Sequence, residues 1–253
     1  MKLYDNAFSP FARKVRLVLD YKGLEYEAFD ALLPEAHAKL AAANARVEVP
    51  VLEDGDLRVV NSPDIVAYLE HRYPARPVYP ADPAKRVAAR AWERVADTLL
   101  DAILHDASIW TWPILDRPDQ PPAGMLEAAR EDLESTYDDL ERALGSDGFV
   151  CGEISIADFA LFPHLSAVRS LDIPFTAERH PKLHAWFERV RALPICQADL
   201  ARIRKFMKSA RADGVKAERI VWRGDRIEWL LARGFHEWFA GEIRANRVGW
   251  PRR

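Results

Sequence analysis

Two short stretches set a serine hydroxyl directly before a proline and a helical pattern. They are Ser9-Pro10 in "NAFSPFARKVRLVLDYKGL" and Ser62-Pro63 in "NSPDIVAYLEHRY". Proline suits the first helical position, and a serine before it satisfies free amides. The same end of a helix also favours an anion, through unpaired N–H groups and the positive end of the helix dipole. Ser9 therefore has two readings: a cap alone, or a donor to a charged ligand atom. Ser62 and the amides after it read either as a cap or as an anion site. In "GEISIADF" the spacing of Ser155 and Asp158 is that of a capping box, with Ile154 and Phe159 as its hydrophobic staple. That assigns Asp158 to folding and not to chemistry. Cys151 and Cys196 form no CxxC, and the chain shows no zinc pattern, Gly-rich phosphate loop or Ser-His-Asp order, so no metal is expected.

These groups must be positioned by regular elements. "KLY" reads as a short strand, and Pro10 to Lys22 as a helix with Phe11, Val15, Val18 and Leu19 at helical spacing. "EYEAFDA" alternates like a strand, and "PEAHAKLAAA" is an alanine-rich helix opening at Pro34. "VPVLEDGDLRVV" is a hairpin turning at Asp54-Gly55. A helix capped by Ser62 follows, with Ile65, Val66, Leu69 and Tyr73 facing inward. This order predicts a thioredoxin-like α/β unit. "YPARPVYPADP" holds four prolines and reads as a linker. The pattern beyond it is all-helical: 87–105, 125–144, 156–171, 181–193 and 198–210, with a loop at "DRPDQPPAG". The last segment carries four of the chain's eight tryptophans. Ile227, Leu230, Leu231, Trp238, Phe239 and Ile243 predict one helix over about 226–244, bent near Gly234. Its aromatic density is too high for a free tail.

The 253 residues carry a formal charge of −3, which argues against a nucleic-acid partner. The charge is unevenly spread: residues 204–253 hold 13 Lys+Arg against 6 Asp+Glu, leaving −10 on the rest. Opposite charge thus favours docking of the last segment on the body of the protein. No apolar run is long enough to span a bilayer, no signal peptide is evident, and the two separated cysteines fit a reducing compartment, so the expected location is the cytoplasm.

The whole plan resembles that of cytosolic glutathione S-transferases. "SPFARKVRLVLDYKG" looks like the first-helix motif of their serine-type and tau/omega-like members, and "VPVLEDG" looks like their Val-Pro turn and hairpin. "NSPDIVAYLEHRYP" is similar to their Glu/Asp-Ser helix start, and "GEISIADFAL" resembles the capping motif of their helical domain. Together these cover about residues 1–205. The resemblance implies a thioredoxin-like glutathione-binding domain over 1–76 and an all-α domain with the acceptor site over 84–210. An added extension over 213–253 would dock on the helical domain.

By the same resemblance Ser9 is catalytic. Its hydroxyl would donate to the sulfur of glutathione and favour the thiolate, the nucleophilic form, and Arg13 would add positive field. Ser9, Phe11, Val49, Pro50, Asn61 and Ser62 would bind glutathione, with a cis Val49–Pro50 bond and Val49 holding the cysteinyl unit. Phe8, His105, Trp110, Trp112 and His164 are expected in the wall of the acceptor pocket. Tyr4 is a weaker rival to Ser9. Omega-type members carry cysteine at the position of Ser9, so mixed-disulfide chemistry is not expected. Two residues depart from the family pattern. Asn61 stands where an acid is usual, and Glu48 stands where a basic or neutral residue is usual; His37 or Lys39 would take the glycyl carboxylate instead. The expected function is transfer of an alkyl or aryl group from a small hydrophobic electrophile to glutathione, by a homodimer. The alternative is a catalytically weak relative serving as a binding or interaction protein.

Overall fold

The computed structural model describes residues 1–111, 120–146, 148–213 and 220–250. Residues 116–119 of the expected loop at 116–124, and residues 214–219 and 251–253 of the extension, lie outside them. The first unit runs β1 (Lys2–Asp5), α1 (Pro10–Lys22), β2 (Glu27–Asp30), a 3-10 turn at Pro34–Ala36, α2 (His37–Ala43), β3 (Val51–Asp54), β4 (Leu57–Val60) and α3 (Ser62–Arg72). The strands lie in the order β2-β1-β3-β4. The β1–β2 pair is parallel, which requires the α1 crossover, and the other two pairs are antiparallel. Strand alternation divides the core. Leu3 and Leu52 face α1 and α3 with Val18, Ile65 and Leu69, while Tyr4 and Val51 join Leu40 and Ala43 in a second cluster with α2. The hairpin turn is Gly55–Asp56, one residue beyond the sequence expectation, because Asp54 still pairs with Leu57.

The linker is held firmly. Glu70 accepts from the amides of Val78 and Tyr79, each at 3.1 Å, and Lys22 donates to the carbonyls of Tyr73 and Ala75. The helical unit comprises α4 (Pro83–Val95), a π-helical turn at Ala96–Leu100, α5 (Asp101–Ser108), α6 (Met125–Ala143), α7 (Ile156–Leu165), α8 (Pro181–Arg191) and α9 (Pro194–Asp213). The long run expected over 87–105 is thus one helical path interrupted by the π turn. Helix α7 is buried on all sides and starts with the capping box. Asp158 accepts from the Ser155 amide (2.8 Å), the Val150 amide (3.0 Å) and the Trp186 indole (2.7 Å), so it organises three segments at once.

The extension folds as β5 (Ile220–Val221), α10 (Gly224–Ala232), α11 (His236–Arg244) and β6 (Val248–Gly249), with β5 and β6 parallel. The single helix expected over 226–244 is therefore two. Gly234 adopts φ +86°, and the Phe235 and Gly234 amides bond back to Leu230 and Leu231, which closes α10 as a Schellman motif. Helix α10 packs on α5 and the π turn. Arg226 makes a two-pronged bond to Asp101 (2.9 and 3.0 Å), and the Trp229 indole donates to Asp132 of α6 (2.7 Å). Trp222, Trp229 and Phe239 are buried. Among the described residues, no helix is long and apolar enough to cross a membrane.

Helix α1 joins the two units through charge. Arg13, Lys14, Arg16 and Lys22 are all buried. Asp199 of α9 receives both Arg13 (2.8 Å) and Arg16 (2.8 Å), and Lys14 bonds Glu93 of α4 at 3.0 Å. Asp199→Ala leaves two guanidinium groups short of their shared partner and should cost about 3 kcal/mol or more in urea denaturation. Arg142→Ala, which breaks an exposed pair with Asp139, should cost under about 0.5 kcal/mol. A loss below about 1 kcal/mol for Asp199→Ala would mean that α1 is not held through this residue.

Candidate active site

A cleft of about 2360 Å³ opens between the two units. Ser9 stands in its wall, at the cap of α1. Its Oγ accepts only a long bond, 3.4 Å, from the Ala12 amide, and its proton has no acceptor among the described residues. The backbone carries the rest of the cap, since the Arg13 amide donates to the Ser9 carbonyl at 2.9 Å. The hydroxyl therefore faces the cleft with a donor to spare, at the positive end of a 13-residue helix.

The expected residues do not all converge on it. Phe8, Phe11, Val49, His105 and His164 line the same cleft. The Val49–Pro50 peptide is cis. Asn61 lines a smaller adjoining cleft of about 280 Å³, together with Phe11 and Glu48. Ser62 is not the cap of α3. Asn61 holds that place at φ +66°, with its side-chain amide turned to Asp64 (3.0 Å), and Ser62 is the first helical residue. Ser62 is buried, and its Oγ has no partner among the described residues. Trp110 lies outside the cleft lining. Its indole donates to the Asp106 carbonyl (3.0 Å) and packs edge-on against Trp238 of the extension, 5.9 Å away. Trp112 falls outside the described residues.

Arg13 supplies no free positive field. It is 4% exposed and spent on Asp199, the Pro163 carbonyl (2.7 Å) and Ser166 (2.9 Å), because its turn of α1 faces α7 and α9. Tyr4 does not line the cleft either. Its hydroxyl donates to Glu53 (3.0 Å), and burial together with that carboxylate raises its pKa. Glu48 is less hostile to an anion than its charge suggests, since Arg46 pairs with it at 3.0 and 3.3 Å. His37 lines the cleft but Lys39 does not.

Two groups at the site had no signal in the sequence. Asp101 comes from the start of α5 and Arg223 from the residue before α10. Their partners lie more than a hundred positions apart, and nothing in either local pattern marks them. Burial is the first cause that lowers Asp101's neighbour His105 well below an ordinary histidine, and the positive Arg226 and Arg223 add to it. His105 bonds Asp106 at 2.9 Å, and burial pushes that carboxyl up, so both groups tend to the neutral form.

His164 packs edge-on against Phe11 at 5.9 Å, and its Nδ1 donates to the Ala160 carbonyl (2.9 Å). The ring is neutral and its Nε2 is an unpartnered acceptor among the described residues. Burial lowers its pKa to about 4. An unfolded histidine titrates near 6.5, so between about pH 6.5 and 4 the unfolded chain binds a proton that the folded one refuses. Stability is fully present above that window and falls with pH by about 1.4 kcal/mol per unit for this group. His164→Gln should flatten urea-derived stability between pH 6.5 and 5 by up to that slope. An unchanged slope would mean that the folded protein carries His164 protonated.

A cleft between a thioredoxin-like layer and a helical bundle, with an unspent serine hydroxyl at a helix start, defines a two-domain protein with a candidate site at the junction. Residues 3–77 match the family described as glutathione S-transferase, N-terminal domain, and residues 123–189 match glutathione S-transferase, C-terminal domain. Glutathione S-transferase 1 of Manduca sexta is 30% identical over 205 residues, which is 77% of this chain and 89% of that protein. Pyrimidodiazepine synthase of Drosophila melanogaster is 28% identical over 208 residues, 78% of this chain and 79% of its own. A solved glutathione S-transferase of Methylobacterium radiotolerans, in complex with glutathione sulfonate, is 26% identical with a TM-score of 0.61, covering 88% of this chain and 98% of its own. The chain belongs to the glutathione S-transferase family.

Proposed function

We propose that the protein transfers an alkyl or aryl group from a small hydrophobic electrophile to glutathione, with Ser9 as the catalytic residue. The observation that carries this reading is the Ser9 hydroxyl, which lines the cleft with its proton uncommitted among the described residues. Val49 offers backbone for the cysteinyl unit, beside the cis Pro50. Ser62 and Asn61, at the start of α3, take the γ-glutamyl end, and the unpartnered Ser62 Oγ supports that role. Arg46 and His37, both in the cleft wall, are suited to the glycyl carboxylate.

A free thiol is mostly protonated at neutral pH. The Ser9 hydroxyl and the α1 dipole stabilise the thiolate, and its proton leaves to solvent. The sulfur then attacks the electrophilic carbon. A C–S bond forms, and the bond to the leaving group breaks with its electron pair. Phe8, with Phe206 stacked 6.4 Å away, and Phe11 supply the apolar wall against which the acceptor rests.

On this reading residues 1–76 hold glutathione, 84–210 face the acceptor, and the segment from 213 on covers the site. The working form is a homodimer in the cytoplasm with a detoxifying role. Family membership supports the first of these attributes, and two unpaired buried cysteines, Cys151 and Cys196, support the second.

Ser9→Ala should abolish most of the ultraviolet thiolate absorbance of bound glutathione. It should lower turnover by roughly 10²-fold, the usual cost of losing one well-placed donor to a developing anion. Glutathione affinity by calorimetry should change little. Wild-type turnover in Ser9→Ala would remove Ser9 from the chemistry.

A further inference from the structure

The extension brings a cation into the cleft. Arg223 precedes α10, lines both the large and the small cleft, and places its guanidinium over the Phe11 ring, 4.7 Å from the centroid. Phe11 is two residues beyond Ser9, so this charge stands over the start of α1.

The neighbouring ion pairs leave Arg223 in second place. Glu48 is taken by Arg46 at 3.0 Å, and Asp101 by Arg226 at 2.9 and 3.0 Å. Asp97 bonds Lys14. Arg223 reaches Asp101 only at 3.6 Å and Glu48 only at 4.0 Å, with no hydrogen bond to either among the described residues. Asp225, the remaining acid of the small cleft, is exposed to solvent. The Arg223 side chain is only 27% exposed. Burial, with repulsion from Arg226, disfavours its charge, and its two loose carboxylates compensate in part. An arginine stays charged even so. What it lacks is a planar acceptor for its donor fork, and a carboxylate is the group that fits.

Arg223 stands where two sides of the cleft meet: the small cleft it shares with Asn61 and Arg46 lies on the side proposed for glutathione, and the large cleft it also lines runs past His105 and His164 on the side proposed for the acceptor. We propose that Arg223 determines acceptor specificity by receiving a carboxylate carried on the electrophile, so that the protein favours anionic over neutral acceptors of the same reactivity. This inference rests on the transferase reading above. The step itself is ordinary aromatic substitution when the acceptor is an aryl chloride. The thiolate sulfur bonds to the chlorine-bearing carbon, the C–Cl pair departs as chloride, and the thiol proton goes to solvent.

The test compares two glutathione conjugates by calorimetry on the full chain, one dinitrophenyl and one dinitrophenyl with a carboxylate para to the sulfur. Initial rates with the parent chlorodinitrobenzene and chlorodinitrobenzoate are measured alongside. Wild type should bind the carboxylated conjugate more tightly. Arg223→Gln should shift the ratio of the two affinities about tenfold toward the neutral conjugate, and Arg223→Lys should restore part of it. The ratio is internal to each variant, so a variant with fewer folded molecules still reports it.

An unchanged ratio would overturn the inference. Equal weakening of both conjugates and of glutathione itself would also overturn it, because Arg223 would then hold the peptide. The expected ratio shift with no turnover of either chloride would keep the carboxylate site and refute the transferase reading. Binding of neither conjugate to wild type would refute both.

Discussion

The structure depends on one constraint: the cationic side of α1 has to be buried. A surface helix would turn Arg13, Lys14, Arg16 and Lys22 to water. Here each is enclosed, and their acids come from several separate elements. Arg13 and Arg16 share Asp199 of α9, Arg16 also bonds Asp5 of β1, Lys14 bonds Glu93 of α4, and Lys22 bonds Glu70 of α3. Pairs of this kind add little over good apolar packing, but any arrangement that leaves one charge without its partner is heavily penalised. They therefore select one docking of the helical unit on the sheet. Because they grip α1 along its length, they also set where its first turn stands, and Ser9 with it.

That arrangement has a consequence for the electrostatics of the cleft. Basic residues close to Ser9 in sequence would be the natural source of positive field, yet they are consumed in holding the fold. What remains in the cleft wall near Ser9 is the backbone at the start of α1, the serine hydroxyl, and charge carried in from elsewhere. Arg46 brings part of that charge and Arg223 of the extension another part. Other arginines of the extension meet acids of the helical unit, Arg226 at Asp101 and Arg233 at Asp132, and they seat α10 beside the cleft mouth. Trp222 then covers His105 edge-on at 5.5 Å and closes that part of the wall with an apolar surface.

Burial of titratable groups around this wall follows the same logic. His105 and His164 are kept neutral mainly because they are removed from water. Their rings behave as flat, mostly apolar surfaces with one polar edge. Such surfaces add no charge of their own to the cleft wall.

Much of this protein was legible in the chain alone, wherever a local rule decides the outcome. Helix α1 spans Pro10 to Lys22 as its proline start and apolar spacing require, and the Ser155–Asp158 box and the β3–β4 hairpin follow from motifs a few residues long. The apolar density of the extension required it to pack on something, and the sequence alone determined that much. Local patterns failed where neighbours far along the chain compete. Asn61 and not Ser62 takes the cap position of α3, with its amide drawn to Asp64. Trp110 turns away from the cleft because Trp238 offers it an edge. The fate of Arg13 and the arrival of Arg223 were decided only by tertiary structure. The physical reason is that a side chain's sequence determines its charge, while the free energy of that charge depends on which partners and how little water surround it once the chain is packed.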